Sequence, residues 1–213
     1  MTDGKKDNII QLYKYTIMPK IILITHQKGG VGKSTLTFNL AKNIAENANV
    51  AILDFDLQGS LSQIKTLVKG ITIIPFQNEI DNIKKLSYDF IFIDTPPYLS
   101  NQLSDLIKIA DLILVPTKAG VLDLLAIKST LELIASQNKK EQTRIVFNMI
   151  KPNTSLTEDI YKGLEEYNIR IAKTKISDLV AFTRSVLLNG VAHHNKAQKQ
   201  IDNLTKELLT ALI

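Results

Sequence analysis

A chain of 213 residues with 45% hydrophobic residues holds one domain's worth of core between a sheet and two helix layers, which argues against intrinsic disorder. It has no cysteine, which excludes a disulfide framework and an iron–sulfur centre held on thiolates. The net charge of +5 favours acidic partners, but twelve cations face ten acids over residues 1–110 and fourteen face eleven over 111–213. That even spread permits nucleic-acid binding without establishing it. No apolar run approaches the ~20 residues of a membrane-spanning helix, and no leader pattern precedes the first strand. The expectation is a cytoplasmic protein with no membrane association.

Residues 1–17 fit no element, and Met18-Pro19-Lys20 leads directly into an apolar run. Residues 1–17 are therefore expected to be a flexible extension, and residues 18–213 a single domain. Short β-branched runs predict strands at 20–25, 50–54, 71–75, 90–94, 111–116, 144–149 and 169–172. Helical patterns fall between them, at 33–47, 59–68, 78–86, 99–109, 121–137, 155–166, 178–188 and 196–212. This alternation implies βαβ units: an α/β fold with a doubly wound, mostly parallel sheet and helices on both faces. Ligands then bind at the carboxyl ends of the strands.

The run Lys28-Gly29-Gly30-Val31-Gly32-Lys33-Ser34-Thr35 joins the first strand to the first helix. Strand, glycine loop and helix N-terminus together make a phosphate cradle, because backbone N–H groups converge there and the helix dipole adds positive potential. Lys33 is placed to reach the β- and γ-phosphates of a nucleotide, and the Ser34 hydroxyl to ligate Mg²⁺. The ordinary P-loop pattern wants a glycine where this chain has Gln27; a second lysine, Lys28, precedes the glycines instead.

Two lysines flanking the glycines form the deviant Walker A signature, and the run resembles the loop of ParA/MinD-type ATPases. The resemblance implies ATP or ADP with Mg²⁺ bound on Gly29 to Thr35, and a homodimer in which Lys28 reaches the nucleotide of the partner subunit. Lys28 and Lys33 would then stabilise charge on the transferring phosphoryl group.

Asp54-Phe55-Asp56-Leu57-Gln58-Gly59-Ser60 places two carboxylates at alternate positions where a strand becomes a loop. It resembles the family's D-x-D-P-Q-G, with Leu57 in place of proline. The resemblance assigns Asp56 to the attacking water and Asp54 to the water shell of Mg²⁺. Phe90-Ile91-Phe92-Ile93-Asp94-Thr95-Pro96-Pro97 is an apolar strand ending in an aspartate, a Walker B arrangement in which Asp94 holds Mg²⁺ through a water. Its last four residues resemble the family segment that moves when the γ-phosphate is lost. Leu112 to Thr117, followed by Leu122-Asp123-Leu124, reads as scaffold. Asn148 ends the strand Val146-Phe147. A lone strand-end asparagine is a common turn residue, and the resemblance alone gives it the adenine edge, with Asp178 close to the base.

The last third carries Lys173, Lys175, Arg184, Lys196 and Lys199. In ParA proteins basic residues on this side contact DNA once the ATP dimer has formed, through salt-sensitive phosphate contacts. His193-His194 lacks a third ligand at metal spacing and reads as surface or capping histidines. Ile201, Leu204, Leu208, Leu209 and Ile213 share one helix face, expected to dock on the core rather than on lipid.

The resemblance thus implies a short ParA-type partition ATPase without an N-terminal helix-turn-helix domain, associated with the nucleoid. Its dimer binds non-specific DNA and is released by slow hydrolysis, which a ParB-like centromere-binding activator stimulates. Cargo and higher-order assembly stay open. The alternatives are a MinD-like positioning ATPase on a membrane or protein scaffold, and a metabolic ligase of the same loop class, for which no substrate constellation is found.

Overall fold

The computed structural model describes residues 18–56, 61–75, 80–98, 102–151 and 158–213. Seven strands make its sheet: β1 (Lys20–Ile24), β2 (Val50–Asp54), β3 (Thr72–Pro75), β4 (Phe90–Asp94), β5 (Leu112–Thr117), β6 (Thr143–Phe147) and β7 (Arg170–Ile171). Their order is β3-β2-β4-β1-β5-β6-β7, and every pairing is parallel. Successive side chains of β1 enter opposite cores. Ile22 and Ile24 pack on one side, Ile21 and Leu23 on the other. Apolar residues on both faces of one strand require cover on both faces, so the central runs are continuous rather than alternating.

Among the described residues six α-helices supply that cover: α1 (Lys33–Ile44), α2 (Leu103–Ile109), α3 (Val121–Ser136), α4 (Glu158–Glu165), α5 (Val180–Arg184) and α6 (Asn195–Ala211). Helices α1, α5 and α6 bury Phe38, Leu40, Phe182, Ile201, Leu204 and Leu208 against one face. Helices α2, α3 and α4 bury Leu106, Ile127, Leu131 and Leu164 against the other. Asn43 Nδ2 also donates to Asp202 Oδ1 at 2.7 Å, tying α1 to α6.

The helices expected over 59–68 and 78–86 are instead 3₁₀ turns, Ser62–Ile64 and Ile80–Lys85. The second buries Ile83 alone. So short a piece has no apolar stripe to hold α-turns against the core. The helix expected over 178–188 ends at Arg184 and continues as turns, closed by Gly190 N–H donating to Ser185 O at 2.7 Å. The last helix docks as expected, but Ile213 lies beyond its end and is exposed. His194 caps that helix, its Nδ1 accepting from Ala197 N–H at 3.2 Å. The expectations for residues 1–17, for Leu57 to Ser60 and for the starts of the helices at 99 and 155 fall outside the described residues.

Candidate nucleotide site

The segment between β1 and α1 turns through two left-handed glycines, Gly30 at φ +70° and Gly32 at φ +84°. Helix α1 then begins with no side-chain cap and no acid in its first turn, so its leading N–H groups face the loop. Asn148 braces the cradle from the end of β6, its Nδ2 donating to Val31 O at 2.8 Å. A Cβ on Gly32 would lie 2.4 Å from that same nitrogen. Gly32→Ala is therefore expected to cost about 1–3 kcal/mol of stability and to weaken nucleotide affinity at least tenfold, as read by denaturant unfolding and fluorescent-nucleotide titration. Wild-type affinity in that variant would show that the cradle tolerates a side chain.

Lys33 is buried in the loop, and its Nζ donates to Lys28 O at 3.2 Å. Burial lowers its pKa, against the pull of Asp94 and then Asp56. The strand register sets the acids abreast: Asp94 of β4 pairs with Ile24 of β1 and Asp54 of β2. Asp94 has no exposed surface, and burial pushes its carboxyl up to about 7, opposed chiefly by a hydrogen bond from Ser34 and helped by Asp54. Its Oδ1 accepts from Thr37 Oγ1 at 3.3 Å, while Oδ2 is buried with no partner among the described residues. An orphan carboxylate oxygen beside a serine hydroxyl and a helix N-terminus is the donor set of a hard divalent cation, so these residues fit Mg²⁺.

Asp54 is held differently from Asp94. Its Oδ1 accepts from Asp56 N–H at 3.1 Å, and its Oδ2 from Ser62 N–H at 2.8 Å and Ser62 Oγ at 2.7 Å. It thereby shapes the loop that carries Asp56. Thr95 Oγ1 donates to Ile24 O at 3.0 Å, and Pro97 packs near Gly29. The turn after β4 is thus tied to the end of β1 at Thr95 and lies beside the glycine loop at Pro97.

Lys28 meets Asp123, a residue expected to serve as scaffold. Its Nζ lies 2.6 Å from Asp123 Oδ1 in the first turn of α3. Gln27 N–H donates to Thr130 Oγ1 at 3.3 Å, and Ser129 Oγ donates to Gln27 Oε1 at 2.9 Å, so α3 grips the loop in three places. His26 is wholly buried, and burial, then Lys33, lower its pKa to about 4. The neutral ring accepts Lys28 N–H on Nδ1 at 2.8 Å. An acid between leucines in a first turn reads equally as a dipole complement, so Asp123 carries no distinct signal along the chain.

Beside the cradle opens a cleft of 270 Å³ lined by Gly30, Gly32, Thr35, Asn148, Asp178 and Phe182 among others. It puts Asn148 and Asp178 beside one space, next to the glycine loop. The five cations of the last third stand at three separate places. Lys173 and Lys175 follow β7, with Lys175 Nζ 5.4 Å from the Tyr161 ring centre. Arg184 ends α5, among exposed Val180, Leu187 and Leu188, while Lys196 and Lys199 are exposed on the opening turns of α6.

A glycine cradle with two lysines, a buried strand-end aspartate and an all-parallel sheet define a P-loop nucleotide-binding domain of the deviant Walker A type. The chain belongs to the CobQ/CobB/MinD/ParA nucleotide-binding domain family, whose model matches residues 22–208. It is similar to the maintenance of carboxysome distribution protein A of Halothiobacillus neapolitanus, with 24% identity over 88% of this chain and 95% of that one. The sporulation initiation inhibitor protein Soj of Bacillus subtilis is 24% identical over 84% of this chain and 90% of its own. A McdA variant of Cyanothece in complex with ATP shares the fold, with a TM-score of 0.67 and 19% identity over 90% of this chain and 96% of that one. Among the described residues no helix is long and apolar enough to cross a membrane.

Proposed function

We propose that this chain is a ParA-type ATPase that binds ATP with Mg²⁺, pairs face to face with a second copy and then holds non-specific DNA. The observation that carries this reading is the division of labour between its two lysines. Lys33 is buried inside its own loop, whereas the Lys28 side chain is 34% exposed at the rim of the same loop. A cation at the rim is available to a nucleotide across an interface; a buried one serves its own.

Gly29 to Thr35 would cradle the phosphates, with Asn148 and Asp178 beside the base. Ser34 and Asp94 would hold Mg²⁺, with Asp54 at the edge of its water shell, and the metal when bound neutralises phosphate charge. Asp56 would orient the attacking water, and Lys28 and Lys33 would face the charge developing on the phosphoryl oxygens. Slow turnover, raised by a ParB-like activator, would release the DNA.

A second cargo has specific support. A carboxysome-distribution relative covers nearly the whole chain. The same cycle would then position a protein assembly rather than a plasmid or chromosome.

The test is binding to non-specific duplex DNA with ATP, ADP or no nucleotide across a salt series, for wild type and Arg184→Ala. ATP-dependent binding that weakens steeply with salt is expected, with several-fold loss in the variant. Absence of binding in every nucleotide state overturns the DNA reading, and lipid vesicles and protein scaffolds become the surfaces to assay.

A further inference from the structure

Away from the nucleotide, β6 and β7 set two arginines side by side. Arg144 and Arg170 are register partners on parallel strands, so their side chains leave the same face of the sheet. Like charges directly abreast are destabilising unless something neutralises them. The nearby acids do this poorly. Both carboxylate oxygens of Glu207 accept backbone N–H groups, from Lys173 at 2.6 Å and Thr174 at 3.1 Å. Glu141 stands 3.4 Å from Arg170 Nη2, with both side chains largely exposed, a geometry worth little in water.

Arg144 is only 7% exposed, yet no carboxylate bonds to it among the described residues. Its Nη1 donates to the carbonyls of Glu141 at 2.7 Å and Thr143 at 2.8 Å. Among the described residues the other guanidinium donors have no hydrogen-bond partner, and Arg144 lines a 380 Å³ basin together with Arg170, Lys173, Thr210 and Glu207, the last already engaged by two backbone N–H groups. Burial, then Arg170, lower its pKa, the penalty that a counter-anion relieves. A guanidinium whose stem is buried and whose unpaired donors open onto the basin, with two further cations beside it, suits an oxyanion of three or four oxygens better than a two-oxygen carboxylate.

We propose that Arg144, Arg170 and Lys173 form a phosphate-group binding site at the β6–β7 edge. Arg144 precedes Asn148 by four residues, roughly 13 Å along the strand, so the site lies at the end of the sheet opposite the nucleotide. A dimer closed over the nucleotide face leaves it open. The phosphate comes from one of two sources, the backbone of duplex DNA or a free phosphate. The DNA source rests on the function proposed above; the site itself does not.

The test uses the full chain saturated with ADP and Mg²⁺, so that the nucleotide cradle is filled, and compares wild type with Arg170→Ser/Lys173→Ser and with Arg144→Lys. ADP affinity, which involves none of these residues, reports that each variant is folded. Inorganic phosphate is expected to raise the wild-type melting temperature beyond chloride at equal ionic strength, and the double variant to lose that response. With ATP and duplex DNA, the slope of log affinity against log salt is expected to fall by about two in the double variant. Arg144→Lys, which keeps charge and removes the fork, is expected to weaken the phosphate response several-fold. A phosphate response with an unchanged slope, or with no DNA binding by the wild type, assigns the site to free phosphate. A changed slope alone assigns it to DNA. No phosphate-specific response together with an unchanged slope overturns the proposal.

Discussion

Asp94→Asn is expected to lower ATP turnover by at least about 10²-fold while making the nucleotide-free chain more stable at neutral pH and above. Asparagine keeps an acceptor for Thr37 and Ser34 and removes only the charge. The loss of turnover follows from the proposed metal role of Asp94, whose Oδ2 is buried with no partner among the described residues. The gain in stability follows from burial, which pushes the carboxyl from 3.8 to about 7. Between those values the folded chain keeps a proton that the unfolded chain has released, so stability falls as pH rises, by on the order of 4 kcal/mol in total. His26 runs the other way. Its pKa drops from 6.5 to about 4, so the unfolded chain holds the extra proton and stability rises with pH across that window.

The two slopes nearly cancel in the wild type from about pH 4 to 6.5. In Asp94→Asn only the rising limb remains, and it levels off above about 6.5. Urea unfolding from pH 4 to 9, with both proteins free of nucleotide, measures this directly. Parallel stability curves for wild type and variant would show that Asp94 carries no buried-charge penalty.

All seven strands were legible because each is a short apolar run with breakers at its ends, and burial on both faces leaves little else for such a run to be. Residues 62–64 and 80–85 were less legible. Their apolar residues suggested helices, yet the second segment anchors on Ile83 alone. Within the candidate site, the places of Lys33, Ser34 and Asp94 were readable because each follows from local sequence: loop, helix N-terminus, strand end. His26 and Asp123 were not, because their roles arise from tertiary contact. Asp123 reaches Lys28 across 95 residues, and Asn148 reaches Val31 across 117. For Asn148 the resemblance supplied a role toward the base, whereas the fold shows one N–H bracing the phosphate loop. The Arg144–Arg170 pair had no sequence signal at all. It exists only once β7 aligns on β6, and neither arginine stands near another in the chain.

Asp123→Asn is expected to tighten ATP-dependent self-association about 30-fold, because it frees the lysine that the proposed dimer would use. In the isolated chain Lys28 Nζ lies against Asp123 Oδ1 at 2.6 Å, with the two side chains 34% and 12% exposed. A half-exposed pair of this kind contributes on the order of 1 kcal/mol. If each Lys28 must leave its own Asp123 to meet the partner's nucleotide, a dimer breaks two such pairs, roughly 2 kcal/mol, which is about 30-fold in the dissociation constant. Asparagine keeps the side-chain shape at the start of α3 while dropping the charge, so the loop contacts through Thr130 and Ser129 persist. Lys28→Ala provides the opposite control: it removes the same ion pair and also the cation, and should abolish both the ATP dimer and turnover. Sedimentation velocity with ATP and Mg²⁺ separates the cases. A dimer strengthened by Asp123→Asn and lost in Lys28→Ala means that the ion pair restrains Lys28 until a second subunit arrives. A dimer weakened by both would mean that Asp123 positions Lys28 for the partner, and the restraint would have to be abandoned.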